Sequence, residues 1–459
     1  MFTFTDKHGG FNRRSFLKVG SMGLGGWSLP GLLQAKAVGN PFKDKSVVFV
    51  FMHGGPAQTE TFDPKMDAPM EVRSATGEVK TTLPGITFGG TFAKLAREAH
   101  RMAVIRSFVT GDGNHDIKPI VGRDSLKANI GSIYSKVAGA TQRQTGMPTN
   151  VGLYPRAVDP TAQALPTDFG SFNSTGGLGA AFAPFEPGAG GSLQQDMELR
   201  MDRRRLDDRR ALLGQLDDLK RSMDVTNGGG LSQFHQQAFD TLTGGIADAF
   251  DLSKEDPRTI ARYDTGPLVS PGSIRKVWAN HNNYRDHGQS LGKLMLMARR
   301  LCERGSRFVT VTTNFVWDMH ADVNNATMTE GMQYVGAPFD HAVSTFIQDV
   351  HERGLQDKIL LVCCGEMGRS PRINAKGGRD HWGKLAPLMM SGGGLQMGQV
   401  IGSSTRDAGE PESDPVTMQN LIGTIMHTLF NVGEVRLMTD LQRDISQIVT
   451  QYQPIRQLT

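Results

Sequence analysis

The sequence predicts an α/β fold in which helices flank a doubly wound, mostly parallel sheet. Two observations carry this prediction: short apolar runs recur along the chain with little polar alternation, and helical patterns lie between them. Runs without alternation are typical of strands buried on both faces, as in a parallel sheet covered by helices. Strands that alternate with helices in this way are typical of a doubly wound sheet.

Five runs are predicted to be strands because they are short, apolar or rich in β-branched residues, and bounded by turn signals. They cover residues 46–52, 102–108, 307–313, 358–364 and 387–392. Helices are predicted over residues 92–100, 287–305, 340–354 and 416–430. Gly305 and Gly354 end two of these patterns, as is typical of helix C-termini.

We expect a single α/β domain over residues 38–459 with a helical insertion at about 196–255. Residues 160–195 are rich in Gly, Pro, Ala and Ser, which predicts an irregular surface segment. A strongly charged helix with one apolar stripe follows at 196–223, and a second helix is predicted over about 231–251. We interpret these helices as a cap or edge layer over the sheet.

The N-terminus carries the pattern of a Tat export signal. Arg13 and Arg14 precede a weakly apolar stretch, and Ala35-Lys36-Ala37 offers a cleavage site. The stretch is too short and too rich in glycine for a stable membrane span. Residues 1–37 are therefore predicted to be a signal peptide that engages the Tat translocase, with the mature protein in the periplasm or outside the cell. The alternative is a helix start with an incidental pair of arginines.

The composition argues against several other classes of protein. The net charge is +4, with 50 Lys and Arg against 46 Asp and Glu, and no long basic stripe is present, so nucleic-acid binding is not predicted. The three cysteines are too few, and odd in number, for a disulfide framework.

Histidines and carboxylates follow four of the predicted strands. Ligands of open α/β sheets bind beyond the carboxyl ends of the strands, so these residues are the candidates for a functional site. They are His53 and Glu60 after the first strand, His115 after the second, Asp318 and His320 after the third, and Glu366, Asp380 and His381 after the fourth. Imidazole and carboxylate groups suit zinc, manganese, iron or magnesium, so the pattern predicts a metal or acid–base site.

Several motifs resemble the exported family catalogued as domain of unknown function 1501, which is related to sulfatases within the alkaline-phosphatase-like superfamily. The matching segments are RRSFLK, FMHGGPAQTETFDPK, FVWDMHADVNN, DKILLVCCGEMGRSPRIN and GGRDHW. The resemblance implies one or two metal ions, usually divalent, above a parallel sheet. It also implies a Ser, Thr or modified Cys nucleophile that attacks a phosphate or sulfate ester.

The resemblance extends to individual positions. It implies metal ligands at or near His53, Glu60, Asp318, His320, Glu366 and His381, with Asp380 beside the last of these. It implies Thr61 or Thr59 as the nucleophile. The chain departs from the superfamily pattern at His53, where an aspartate is usual, and at Glu366-Met367, which replaces an Asp-His pair. It also lacks the Cys-x-Pro-x-Arg sequence from which sulfatases derive a formylglycine nucleophile.

Three functions remain open at this point. The first is an exported, metal-dependent hydrolase of phosphate or sulfate esters of small molecules or polysaccharides, acting through a threonine or a metal-bound water. In it, Arg369 and Arg379 contact the oxyanion and His115 or His381 protonates the leaving oxygen. The divalent ion is zinc, manganese, calcium or magnesium. The second is a metal- or ligand-binding protein that retains the hydrolase fold without turnover. The third is a polysaccharide-cleaving enzyme that uses Glu366 and Asp318 as an acid and base pair.

Overall fold

The computed structural model describes residues 39–142, 144–188 and 247–459. The predicted signal peptide and residues 196–246 of the predicted helical insertion lie outside the described residues. The strands are β1 (Ser46–Phe51), β2 (Glu78–Lys80), β3 (Thr87–Gly89), β4 (Ala103–Ile105), β5 (Asn150–Leu153), β6 (Phe308–Thr312), β7 (Ile359–Cys364), β8 (Gly368–Arg369), β9 (His381–Trp382), β10 (Leu388–Gly392) and β11 (Gln399–Ile401).

The helices flank the sheet formed by these strands. The α-helices are α1 (Ala93–Arg97), α2 (Ile130–Ala138), α3 (Ala247–Phe250), α4 (Pro257–Tyr263), α5 (His281–Glu303), α6 (Met328–Gly331), α7 (Ala337–Glu352), α8 (Met418–Leu429), α9 (Val432–Val435) and α10 (Arg443–Gln451). A π-helical turn, Met332–Gly336, joins α6 to α7. Short 3₁₀ turns lie at Ala99–Arg101, Arg123–Ser125, Pro155–Ala157, Ala180–Phe182, Leu252–Lys254, Gly266–Leu268, Pro271–Ser273 and Arg456–Leu458.

The main sheet is mixed but mostly parallel, which confirms the predicted fold class. Its seven strands lie in the order β11-β4-β10-β7-β1-β6-β5. Only β10, between β4 and β7, is antiparallel to its neighbours. Two small antiparallel sheets accompany it, one formed by β2 and β3 and the other by β8 and β9.

Both faces of the main sheet are covered, which explains why its strands show little polar alternation. Every residue of β1 is buried. Val48 and Val50 belong to one core together with residues of α5 and α7, whereas Val47 and Phe49 belong to the opposite core with residues of α8. Successive side chains of a strand point to opposite faces, so a strand covered on both sides needs apolar residues at every position.

The structure differs from the sequence-based prediction at several boundaries. The second predicted strand is only three residues long, in β4, and the helix predicted over 92–100 is split into α1 and a 3₁₀ turn. Strands β5 and β11 were not predicted, because each is short and contains a glycine or glutamine. In the described part of the chain, no helix combines the length and the apolar character needed to cross a membrane.

The topology brings the candidate residues to one edge of the main sheet. Strands β1, β4, β6 and β7 run in the same direction, so the loops that follow them leave from the same edge. Strand β10 runs the opposite way and therefore begins at that edge. The chain between β7 and β10, which includes β8 and β9, consequently crosses over the carboxyl ends of the neighbouring strands.

Candidate metal centre

Three of the predicted site residues converge at the carboxyl edge of the sheet. His115, Asp318 and His381 each offer one ligand atom, and these three atoms lie within 4.8 Å of one another. The Nε2 atoms of the two histidines are 3.0 Å apart. Oδ1 of Asp318 is 3.6 Å from His115 Nε2 and 3.4 Å from His381 Nε2. These three residues form a candidate metal site, to which we refer as the metal centre.

The backbone around this centre is closely packed. Gly54, in the loop after β1, has a φ of +113°, and a Cβ atom there would overlap the backbone nitrogen of Asp318. The main chain at Trp317 donates a hydrogen bond to the carbonyl oxygen of His53 at 3.0 Å. His381 lies in β9, where it pairs with Arg369 of β8. The loops after β1 and β6 are therefore in direct contact, and His381 is held within the segment that follows β7.

Glu366 orients His115. Its Oε1 atom is 2.9 Å from Nδ1 of His115 and accepts a hydrogen bond of 2.9 Å from the backbone N–H of Gly54. Burial raises the pKa of Glu366 to about 7 and lowers the pKa of His115 to about 3. Once Glu366 is ionised, neutral His115 donates its Nδ1–H to it, which turns the lone pair of Nε2 toward Asp318 and His381. A carboxylate that fixes a histidine tautomer in this way is typical of metal sites.

Asp318 is held as an anion. Its Oδ1 is in contact with the guanidinium of Arg369, and its Oδ2 is 3.0 Å from Nε2 of His320 and accepts a 2.9 Å hydrogen bond from Asn325. Burial opposes ionisation, but Arg369 and the hydrogen bonds from His320 and His381 outweigh it and hold the pKa of Asp318 well below its usual value. The hydrogen bond to Asp318 in turn raises the pKa of His320.

His53 lies beneath the centre in an aromatic pocket. Its side chain is buried, and neither ring nitrogen has a hydrogen-bond partner among the described residues. The ring centroid of Phe315 is 4.9 Å away and that of Phe169 is 5.6 Å away. Burial lowers the pKa of His53 to about 4, although the nearby Glu366 opposes the shift. His53 is therefore neutral, and its nitrogen atoms do not belong to the three-residue cluster.

Glu60 and Arg379 lie outside the metal centre and bind each other. Both are fully buried, and Nη2 of Arg379 is 3.2 Å from Oε1 of Glu60. Glu60 also accepts hydrogen bonds from Ser74 and from the backbone N–H groups of Ala75 and Thr76. The roles predicted for this pair, ligand and oxyanion contact, do not match these positions, because their polar atoms are already bonded within the protein.

The remaining predicted residues also have other partners. The hydroxyl of Thr61 donates to the carbonyl oxygen of Ala57 at 2.9 Å. Thr59 is 1% exposed, and its hydroxyl makes no hydrogen bond to any described residue. Asp380 is exposed and accepts a hydrogen bond of 3.1 Å from Asn374. None of these side chains makes a hydrogen bond to the three residues of the metal centre within the described ranges.

Two residues that the sequence did not single out, Asn325 and Gln58, support the centre. Asn325 bonds to Asp318, and Gln58 joins the first loop to Arg369 by accepting its backbone N–H at 3.0 Å and donating to its carbonyl oxygen at 2.7 Å. Both residues are amides within the quoted family motifs. In a sequence, neither side chain can be distinguished from an ordinary loop amide: the partner of Gln58 lies 311 positions away, and the contact of Asn325 with Asp318 depends on the path of the loop between them.

The donor atoms of the centre fit a divalent cation. Two imidazole nitrogens and a carboxylate oxygen are ligands that zinc and related ions prefer. Two imidazole Nε2 atoms 3.0 Å apart share at most one hydrogen bond, whereas a cation would engage both lone pairs. Three protein ligands with an open position are typical of a catalytic zinc site.

The chain is similar in structure to several hydrolases, each at a low sequence identity and a low TM-score. One is a sulfatase from Pseudoalteromonas sp., at 11% identity and a TM-score of 0.36, covering 86% of this chain and 69% of that chain. A second is a phosphonate monoester hydrolase from Silicibacter pomeroyi, at 11% identity and a TM-score of 0.30, covering 84% and 73%. A third is an alkaline phosphatase from the Antarctic bacterium TAB5, at 13% identity and a TM-score of 0.27, covering 79% and 95%. Similarities this weak carry no argument about activity.

The match to a protein family identifies the chain more directly than these structural similarities do. No protein among the curated proteins matches the chain. A family profile described as "Protein of unknown function (DUF1501)" matches residues 44–458. This match contains every residue of the metal centre and the loops around it. The chain belongs to the DUF1501 family.

Proposed function

We propose that this protein is a metal-dependent hydrolase of phosphate or sulfate esters, and that His115, Asp318 and His381 bind its divalent ion. The observation that carries the proposal is the convergence of three ligand atoms from three distant loops within 4.8 Å. The hydrogen bonds of Glu366 and Arg369 to this set add support, because they orient two of the ligands in the manner expected of a metal site.

The exposed side of the centre indicates where an ester binds. The side chain of His381 is 39% exposed, whereas those of His115 and Asp318 are 10% and 5% exposed. An ester of a small molecule or a polysaccharide therefore approaches past His381. A divalent ion bound here would polarise an oxygen of the ester and lower the pKa of a bound water.

The chain's own residues prepare this chemistry. Asp318 contributes a fixed negative charge, and Arg369 offsets that charge so that the ion-bound centre stays attractive to an anionic ester. Arg369 itself is fully buried and bonded to Asp318, to Gly54 and to the carbonyl oxygen of Gly55 at 2.8 Å. Its predicted contact with the substrate oxyanion is therefore replaced by a role in holding Asp318.

Water is a better candidate for the nucleophile than either threonine. The Thr61 hydroxyl is bonded to the backbone, and Thr59 is almost fully buried. A threonine nucleophile needs an accessible hydroxyl close to the metal. His115 is not free to act on the attacking water, because its Nδ1 faces Glu366 and its Nε2 is assigned to the ion.

The test is turnover by purified protein loaded with zinc or manganese, assayed on aryl phosphates and aryl sulfates. We expect hydrolysis that a chelator abolishes and that Asp318→Ala reduces by about 100-fold or more. The matched control is Glu410→Gln, which removes an exposed carboxylate paired with Lys384 on the surface. Full activity in Asp318→Ala would exclude the proposed site.

A binding protein without turnover is the second candidate. One observation favours it: the guanidinium groups of Arg369 and Arg379, predicted to stabilise an oxyanion, are both buried and bonded within the protein. Such a protein would bind the metal ion, lose it on Asp318→Ala, and hydrolyse no ester in the panel. Metal affinity measured beside turnover distinguishes the two candidates.

The proposal includes export through the Tat pathway. The Arg13-Arg14 pair and the small residues at Ala35 and Ala37 support it. Full-length protein expressed in a strain with an intact Tat translocase should reach the periplasm or the medium. An Arg13→Lys, Arg14→Lys double variant should stay in the cytoplasm, and export of that variant at the normal level would contradict the proposal.

A further inference from the structure

We propose that the buried ion pair between Glu60 and Arg379 positions His381 against Asp318, so that metal affinity depends on two residues that do not touch the metal. This inference rests on the proposed metal site and extends it. Both side chains are completely buried, with their charged groups 3.2 Å apart. A buried ion pair contributes little net stability on average, so its retention beside a functional site calls for another role.

Both members of the pair are hydrogen-bonded to the segment at residues 72–74. Arg379 donates to the carbonyl oxygens of Val72 and Arg73, each at 2.9 Å. Glu60 accepts a 2.7 Å hydrogen bond from the hydroxyl of Ser74. Glu60 lies in the loop after β1, and Arg379 lies two residues before His381. The ion pair therefore fixes the position of the segment that carries His381 relative to the first loop.

The backbone of Arg379 connects this segment to Asp318. Its N–H donates to the carbonyl oxygen of Met319 at 3.1 Å, one residue beyond Asp318. Its carbonyl oxygen accepts a hydrogen bond of 3.2 Å from Arg369, whose guanidinium also contacts Asp318. A displacement of Arg379 is thus transmitted to the segments that carry Asp318 and His381.

Gly378 shows how close these segments lie. A Cβ atom at this position would overlap the carbonyl carbon of His320. No positive φ is involved at Gly378, so the glycine is required by contact and not by backbone conformation. Residues 378–381 consequently have little freedom to move while Arg379 is held by Glu60.

Metal affinity is sensitive to such positioning. Residues that orient ligands without binding the ion typically change affinity by about 10–100-fold when they are replaced. Loss of the Glu60 charge leaves Arg379 with an unpaired charge in a buried site, which favours movement of its segment toward water. The His381 ring would then leave its place beside His115 and Asp318.

The experiment compares Glu60→Gln with a matched buried pair elsewhere. Asp349 pairs with Arg299 at 3.0 Å, and both side chains are almost fully buried. Zinc affinity is measured by calorimetry on each full-length variant, with thermal unfolding recorded beside it. We expect Glu60→Gln to weaken zinc binding about 10–100-fold. Asp349→Asn should lower the melting temperature and leave zinc affinity unchanged.

Three outcomes would overturn the inference. The first is wild-type zinc affinity in Glu60→Gln, and the second is an equal loss of affinity in Asp349→Asn. The third is the absence of zinc binding by the wild-type protein, which would also overturn the proposed metal site. The first two leave the proposed site intact, so failure of the positioning role and failure of the site are distinguishable.

A second variant keeps the test usable if Glu60→Gln does not fold. Gly378→Ala leaves the ion pair in place but displaces the same segment, residues 378–381, because the added Cβ atom presses on the backbone of His320. Its control is Gly177→Ala, because a Cβ atom at Gly177 meets no other atom within 4 Å. We expect weaker zinc binding in Gly378→Ala only, and equal affinities in the two variants would count against the inference.

Discussion

Two groups of buried titratable side chains in the described residues differ in the kind of partner that each side chain faces. On the helical layer, Arg299 of α5 forms ion pairs with Asp349 at 3.0 Å, Glu255 at 2.9 Å and Glu303 at 2.7 Å. We call these four residues the helical-layer network. Every charged group in it faces a partner of opposite sign.

In the metal centre, by contrast, two side chains of the same type face each other. Nε2 of His115 faces Nε2 of His381, and both face a carboxylate oxygen of Asp318. The comparison teaches that the helical-layer network pairs opposite charges, whereas the metal centre brings two imidazole nitrogens together, an arrangement that a bound cation would stabilise.

The largest expected effect concerns the helical-layer network. Asp349→Asn leaves Arg299 partly unpaired in the interior, which should lower the free energy of unfolding by about 3–5 kcal/mol. Urea unfolding followed by circular dichroism measures it. Metal affinity should not change, since α5 and α7 contribute no residue to the metal centre. A large loss of metal affinity would show that the two regions are coupled.

The second-largest expected effect concerns the metal centre. Glu366→Gln keeps the shape of the side chain but removes the carboxylate that fixes the His115 tautomer. We expect zinc affinity to fall about 10–100-fold. Zinc titration of the variant and the wild type, at the same pH, gives the result. Unchanged affinity would mean that His115 does not need Glu366 to present its Nε2 lone pair.

The smallest effect is a change in pH dependence of the metal-free protein. His115 and His53 have lowered pKa values, so between about pH 5 and 6 they bind protons in the unfolded chain but not in the folded one. Glu366, with its pKa raised to about 7, does the reverse. The two histidines outweigh the glutamate, so their combined contribution to stability rises with pH in this window.

Glu366→Gln removes the opposing contribution, and stability should therefore rise more steeply with pH. The added slope is at most about 1.4 kcal/mol per pH unit, the value for one proton. Urea unfolding in the presence of a chelator, repeated across the window, measures the slope. An unchanged slope in the variant would show that Glu366 is already ionised in the metal-free protein.

The buried strands could be predicted because apolar residues occupy successive positions along them. Val48, Val50 and their neighbours in β1 leave no polar alternation, so the run is distinct in the sequence. Strand β5 could not be predicted in the same way: Asn150–Leu153 is four residues long and includes a glycine. Its place is decided by pairing with β6, which lies more than a hundred residues away in the chain.

The sequence predicts which strand ends supply residues to the candidate site. It does not predict which of those residues contact one another. Parallel strands bring their carboxyl ends together, which is why His115, Asp318 and His381 meet. Glu60 has the same chemistry and follows a strand in the same way, yet it pairs with Arg379 instead. The sequence does not show which carboxylate meets an arginine, because that depends on the paths of loops whose contacting residues are 319 positions apart.

The metal content of the folded protein tests the central claim most directly. Native mass spectrometry of the purified chain, before and after addition of zinc or manganese, should show a single bound divalent ion. The triple variant His115→Ala, Asp318→Ala, His381→Ala should bind none while it keeps the same circular dichroism spectrum. A folded wild-type protein that binds no ion, or a folded triple variant that binds as the wild type does, would contradict the account.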